Sequence, residues 1–152
     1  MCIRDSESAP PGLHLVNGPA HSRGGRECPR EASVAEIDRL KFLQWVSAAR
    51  PLQGVDLSRL NLTNMGLSGA NLMGAQMEGV ELMFADLRGA NLSRADLTVA
   101  DLSNADLSNA DLRSACLWGA KFSDANLGDA NLTGANLNGS NLEGADLTGA
   151  TR

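Results

Sequence analysis

The sequence predicts a solenoid, a chain wound into stacked coils, over residues 55–151, preceded by one short helix. The first observation is internal repetition: residues 100–112 read ADLSNADLSNADL, which is one five-letter unit given twice and begun a third time. The second observation is that this period fits no straight element. On a helix each repeat rotates the pattern by about 140°, and on a strand each repeat moves leucine to the opposite face. The chain must therefore turn a corner once per repeat, and four corners close a square coil on which the next coil can stack.

The repeat runs without insertion or deletion through nineteen units, from Val55 to Gly149. Each unit has a small apolar first residue, usually alanine, and a large apolar third residue. Stacked coils can bury these large residues in their interior, so we predict that they form the structural core. They are Leu57, Leu62, Leu67, Leu72, Met77, Leu82, Leu87, Leu92, Leu97, Leu102, Leu107, Leu112, Leu117, Phe122, Leu127, Leu132, Leu137, Leu142 and Leu147.

This pattern resembles the pentapeptide repeat family, whose consensus is A(D/N)LxX, and the resemblance covers residues 55–151. It implies an all-β fold, a right-handed quadrilateral parallel β-helix with four repeats per coil and about five coils. It also implies that the leucine and the alanine two residues before it point inward, whereas the other three positions point outward. Residues twenty apart then stack in columns along the rod.

Residues 1–30 differ from the rest, because they are rich in Pro, Gly, Ser and charge and have no periodicity. Such a composition predicts a disordered tail. The first six residues, MCIRDS, resemble the translation of ATGTGTATAAGAGACAG, a transposon end used in preparing DNA sequencing libraries. We therefore expect part of this tail to be artefactual and the natural start of the protein to lie elsewhere.

A helix is predicted over residues 33–50. Ser33 and Glu36 form a capping box at its start, and Pro51 ends it. Because the first coil of a solenoid exposes apolar surface and unpaired strand edges, we expect this helix to cap it. The alternative is a partner-binding or dimerising helix that exposes Phe42 and Trp45. Its apolar side is predicted to comprise Val34, Ile37, Leu40, Leu43 and Val46, joined by Phe42 and Trp45.

No residue pattern of an enzyme, cofactor or metal site is found in the sequence. Both histidines, His14 and His21, precede the repeats, and Cys2, Cys28 and Cys116 form no CxxC pair. The cysteines therefore predict neither a zinc site nor a disulfide framework, and Cys116 is expected to be a surface thiol. The glycines recur once per repeat rather than in a phosphate-binding loop. We predict a non-enzymatic protein without catalytic, cofactor-binding or metal-binding residues.

The two ends of the chain bear on its location and assembly. The sequence has neither a secretory signal nor an apolar run near the roughly twenty residues of a membrane span, so no membrane contact and a cytoplasmic location are predicted. The repeat reaches LTGATR with no capping segment after it. We expect either a homodimer through this uncapped end or a longer natural protein with further coils or a fused domain.

The repeat region is acidic, with twelve acidic and five basic residues between positions 55 and 149, a net charge of −7. Columns of residues twenty apart place Asp86, Asp106 and Asp146 on one wall. Such a wall predicts no direct binding of nucleic acid, because it repels phosphate. Some pentapeptide repeat proteins are DNA mimics that bind DNA gyrase or topoisomerase IV and protect them from quinolones, and this is the alternative function. The family consensus itself favours Asp or Asn before leucine, however, and the functional loops of the quinolone-resistance proteins are absent from this sequence.

A few outward positions, Met73 among them, carry apolar residues where small polar ones are usual. Trp118, Val99, Met83 and Phe84 form, with Asp86, Asp106 and Asp146, the candidate interaction surface. Val99 and Trp118 are expected on one wall in successive coils, close enough to touch. Single exposed apolar residues are also ordinary features of protein surfaces. The predicted function is a protein-interaction or structural module with an unidentified protein partner, for which a topoisomerase is one candidate.

Overall fold

The computed structural model describes residues 39–48 and 50–152. One helix, α1, spans Arg39–Ser47. Beyond it, parallel β-bridges join residues twenty apart, from Asp56 and Gln76 at one end to Asn131 and Thr151 at the other. Because each repeat has five residues, four repeats make one coil. The described residues contain no continuous strand, since each bridge is a single residue followed by a turn.

A tight turn closes every repeat. In the unit around Leu107, the N–H of Ala110 donates to the Leu107 carbonyl at 3.0 Å, which closes a four-residue turn. The third residue of this turn, Asn109, has a φ of 57°. A positive φ at this position is what a type II turn requires and what favours glycine or asparagine there. The turn explains how a chain with a five-residue period avoids both helix and extended strand.

In most repeats, the residue before the inward leucine supports that turn with its side chain. Asp106 Oδ1 accepts a hydrogen bond from the Ser108 N–H at 3.0 Å, and Asn131 Oδ1 accepts one from the Thr133 N–H at 3.1 Å. Asp and Asn both offer this short oxygen acceptor, which is why these two types recur at the position. The oxygen therefore supports the turn, and the charge is not needed for this bond.

Main-chain hydrogen bonds hold successive coils together. The Leu107 N–H donates to the Asn126 carbonyl at 2.7 Å, and the Asn126 N–H donates to the Ala105 carbonyl at 2.9 Å. The turn residue Asn109 adds a third bond, to the carbonyl of Gly128 at 2.8 Å. Each coil thus provides the coil before it with carbonyl acceptors and amide donors in a fixed order. At the first coil, the corresponding main-chain carbonyls and N–H groups have no earlier coil among residues 39–48 and 50–152 to pair with.

The leucine series forms the core. From Leu57 to Leu132 each of its members is at most 2% exposed. Leu137, Leu142 and Leu147 are only partly buried, because no later coil among the described residues covers them. The small series from Ala75 to Ala130 is equally buried, at most 1% exposed. Inward leucines alternate with inward alanines, so the core is a column of side chains rather than a pocket.

The buried side of α1 differs from the one predicted. Phe42 is fully buried in the core cluster, and Trp45 and Val46 pack against that cluster. Leu40 and Leu43, predicted on the apolar side, are 74% and 41% exposed. Phe42, Trp45 and Val46 follow i, i+3, i+4 spacing and so share one face, which turns Leu40 and Leu43 away. The alternative with Phe42 exposed to a partner is wrong for the same reason. The predicted helical residues 33–38, the tail 1–30 and the adapter-like residues 1–6 lie outside the described residues.

Arg39 contacts the edge of the first coil. Its guanidinium donates to the carbonyls of Asn61 and Thr63. One coil higher, the equivalent carbonyls of Glu81 and Met83 accept the N–H groups of the preceding coil instead. Arg39 therefore supplies donors at a place where no earlier coil lies among the described residues.

Candidate interaction surface

Val99 and Trp118 meet at one corner of the solenoid. The Val99 N–H donates to the Trp118 carbonyl at 2.9 Å, so the two residues are neighbours in successive coils. Their side chains are 45% and 52% exposed, respectively. Phe84 is exposed on a different corner, whereas Met83 beside it is only partly exposed. Of the four predicted apolar residues, the structure brings Val99 and Trp118 together; we call this pair the Val99–Trp118 corner.

The backbone at this corner is unfavourable for the residue it carries. Val99 has a φ of 51°, in the left-handed region that a β-branched residue rarely adopts. Gly79 and Gly119 occupy the same position one coil before and one coil after, with φ values of 64° and 66°. Local conformation and exposure to water therefore both disfavour valine here. Residues held in such conformations concentrate at functional sites, which makes this corner a candidate.

Val99 and Gly119 are packed closely. A Cβ atom added to Gly119 would lie 3.2 Å from Val99 Cγ1, tighter than an ordinary contact. A side chain at Gly119 would therefore displace Val99. Since Gly119 follows Trp118 directly, the valine, the bare glycine backbone and the tryptophan form one continuous surface.

Gly119→Ala tests this packing. We expect it to lower the free energy of unfolding by about 1–2 kcal/mol for the left-handed alanine, plus about 1 kcal/mol or more for crowding against Val99. Gly89→Ala is the matched control, because Gly89 has a φ of 62° and nothing within 4 Å of its added Cβ. Urea denaturation measures both losses. Adding Val99→Ala to Gly119→Ala should remove the difference between them, and equal losses in the two single variants would contradict the contact.

The acidic residues predicted to line one wall do form a row. Bridges join Asp86 to Asp106, Asp106 to Asn126, and Asn126 to Asp146. Partners reduce its negative character, because Asp86 forms an ion pair with Arg88 at 2.7 Å and Asn126 Nδ2 donates to Asp106 Oδ1 at 3.1 Å. Asp86 and Asp106 thus each have a polar partner, and we call the row of Asp86, Asp106, Asn126 and Asp146 the ladder.

The ends of this row stay ionised at neutral pH. Hydrogen bonds from the Arg88 side chain and then from its backbone N–H hold the pKa of Asp86 below its usual value. The Thr148 hydroxyl, and after it the Thr148 N–H, lower the pKa of Asp146 in the same way. The wall therefore presents carboxylates, not carboxylic acids, to an approaching partner.

Cys116 differs from the expected surface thiol. It is 5% exposed, with Thr98 Oγ1 3.4 Å from its sulfur, and it is disulfide-bonded. The expectation of a surface thiol is therefore wrong at this position. Within residues 39–48 and 50–152, no group of three His, Cys, Asp or Glu residues could hold a metal ion. No helix in that part of the chain is long and apolar enough to cross a membrane, and the cytoplasmic location stays a prediction.

The chain belongs to the pentapeptide repeat family, whose model matches eight copies over residues 52–89, 81–119 and 119–151. It is similar to a pentapeptide repeat protein of the Arabidopsis thaliana thylakoid lumen, with 34% identity, a TM-score of 0.64, and coverage of 70% of this chain and 72% of that one. It is also similar to the pentapeptide repeat protein Rfr23 of the cyanobacterium Cyanothece 51142. The identity is 39% and the TM-score 0.51, and the match covers 64% of this chain but only 60% of that one. These relatives give the fold as a right-handed β-helix-type solenoid.

A weaker likeness links the chain to QnrB1, a plasmid-mediated fluoroquinolone resistance protein. The identity is 23% and the TM-score 0.37, over 76% of this chain and 69% of that one. A likeness of this size carries no argument about function. No curated protein matches the sequence.

Two features of the structure were not predicted from the sequence. The strain at Val99 was detectable, because valine stands in a column with three glycines, Gly79, Gly119 and Gly139, at a turn position. The contact of Arg39 with the first coil was not detectable, since it depends on how α1 docks.

Proposed function

We propose that this chain is a non-enzymatic protein-interaction module whose binding surface centres on the Val99–Trp118 corner. The observation that carries the proposal is that an exposed valine with a positive φ adjoins an exposed tryptophan. Turn geometry favours glycine or asparagine at the first position, and water favours a polar residue at both. The folded chain alone gains little from these side chains, whereas a bound partner would cover them.

The chemistry of the corner supports protein binding. Tryptophan is enriched among the residues that contribute most to binding at protein interfaces, because its large face is apolar and its ring N–H still donates a hydrogen bond. The close-packed coils below it hold both residues on a rigid backbone, so little ordering is required on binding. A partner with an apolar groove that accepts an indole ring fits this surface.

Trp118→Ala tests the proposal in a comparative pull-down. We expect a partner captured by the wild-type protein to bind the variant at least about thirtyfold more weakly, as for a residue of this class at an interface centre. Met73→Ala is the matched control, because Met73 is also exposed but belongs to another wall. Circular dichroism should show both variants folded. Identical captured proteins for the wild type and Trp118→Ala would contradict the proposal.

The second candidate is an acidic mimic of DNA that binds a type II topoisomerase. Its supporting observation is the ladder that contains Asp86, Asp106 and Asp146, with ionised carboxylates at its two ends. The ion pair with Arg88 weighs against it, because it neutralises one end of the ladder. Titration of the protein into a supercoiling assay with purified DNA gyrase is the test. No inhibition at high micromolar concentration would exclude this candidate.

A further inference from the structure

The lower edge of the first coil is only partly covered by α1. Phe42 closes the core, and Arg39 contacts the carbonyls of Asn61 and Thr63. The following wall of the same coil is open, and Gly66, Ser68 and Asn71 are all exposed. One stretch of β-edge thus faces solvent beside the helix; we call residues 66–71 the open edge.

The open edge has main-chain groups whose equivalents are paired in every inner coil. One coil higher, the carbonyls of Asp86 and Arg88 accept the N–H groups of Leu67 and Gly69, and the Asp86 N–H donates to Met65. The corresponding groups here are the Gly66 and Ser68 carbonyls and the Gly66 N–H. Among the described residues none of the three has a hydrogen-bond partner. Such an edge is a template for one more extended segment.

A cleft of about 280 Å³ adjoins the open edge. Val46 and Leu52 give it an apolar wall, and Arg50 lies at its border. The Arg50 guanidinium stacks over the Trp45 ring, 5.7 Å from its centre, which holds the cation in place without neutralising it. In the part of the chain that the structure describes, no carboxylate pairs with Arg50.

The helix and the loop beside the open edge are basic, unlike the rod. Residues 39–54 contain three basic residues and no acidic ones, whereas residues 55–149 have a net charge of −7. A segment that carries carboxylates is therefore attracted to these basic residues. The unpaired main-chain groups of the open edge favour an extended segment as the partner, and the basic residues beside the edge favour an acidic one.

We propose that the open edge binds an extended acidic segment of a partner protein by β-augmentation. Two N–H groups of the segment, two residues apart, donate to the Gly66 and Ser68 carbonyls, and one of its carbonyls accepts the Gly66 N–H. An apolar side chain enters the cleft against Val46 and Leu52, and a carboxylate pairs with Arg50. This surface is separate from the Val99–Trp118 corner, so the proposal holds or fails independently of the proposed function.

The test uses the full chain labelled with ¹⁵N and a synthetic acidic peptide, acetyl-ADLSNADLSNADL-amide. We expect titration to shift the amide signals of Gly66 and Ser68 and to slow hydrogen exchange at Gly66. Arg50→Gln should weaken binding about two- to fivefold, as expected for one exposed ion pair. Arg59→Gln is the matched control: it removes the same charge from another corner of the first coil and should leave the affinity unchanged. The same peptide with Asn at every Asp should bind as weakly to the wild type as the acidic peptide binds to Arg50→Gln.

Three results would overturn the proposal. Shifts confined to other coils would show that the peptide adds elsewhere. If the acidic and neutral peptides bound equally, or if the wild type and Arg50→Gln bound the acidic peptide equally, the proposal that the partner is acidic would be wrong. Shifts at Gly66 that grow with protein concentration alone would identify a second copy of this chain as the occupant.

Discussion

Leu107→Asp is expected to unfold the middle coils of the solenoid. Leu107 is fully buried and bonded through its N–H to the coil above, so the substituted carboxylate would lie in the core without a partner. The variant loses about 1.5–3 kcal/mol of apolar burial, and burial of the unpaired charge costs still more. The sum approaches the whole stability of a typical domain, about 5–15 kcal/mol. Circular dichroism should show no cooperative thermal transition.

Asp106→Asn is the matched control, because it changes the adjacent residue on the outer surface. The asparagine oxygen still accepts the Ser108 N–H, so the turn is kept and the change in stability should stay within about 0.5 kcal/mol. Equal losses of melting temperature in Leu107→Asp and Asp106→Asn would contradict the assignment of inside and outside.

Phe42→Ala is expected to have the next largest effect. Phe42 is fully buried in the core cluster, and a Phe-to-Ala change at such a site costs about 3–5 kcal/mol. Leu40→Ala is the control on the same helix; because Leu40 is largely exposed, its loss should stay within about 0.5 kcal/mol. Urea denaturation of the two variants measures the difference.

This comparison tests the predicted role of α1 as a cap of the first coil. A large loss for Phe42→Ala and almost none for Leu40→Ala agrees with a helix that closes the core. Two small and similar losses would show that the solenoid is stable without the helix, and the proposed capping role would then be wrong.

The repeat and its core could be predicted because their signals are local. Each inward leucine occurs within five residues of the next, so burial and corner formation are both visible in the sequence. The docked face of α1 could not be predicted, because Leu40 and Phe42 are equally apolar. Which one is buried depends on the position of the helix against the first coil, and this is a tertiary contact. The burial of Cys116 likewise depends on packing between coils, where Thr98 of the preceding coil contacts its sulfur.

The neighbours within the candidate site could also be predicted, because the length of the coil is fixed by the repeat. The twenty-residue coil places Val99 beside Trp118 and Asp86 beside Asp106 by arithmetic alone, and the structure has both neighbours. The ion pair of Asp86 with Arg88 depends on a side-chain conformation that the repeat does not specify. The sequence pattern therefore predicts which residues share a wall better than it predicts how their charges are compensated.

Site-specific photo-crosslinking tests the Val99–Trp118 corner most directly. Asn138, exposed and one coil above Trp118, is replaced by a photoreactive amino acid, and Thr133, exposed on another wall, is the control position. We predict that illumination joins the partner to position 138 but not to position 133, and that adding Trp118→Ala removes the product. Equal crosslinking from both positions, or a product unchanged by Trp118→Ala, would contradict a binding surface at this corner.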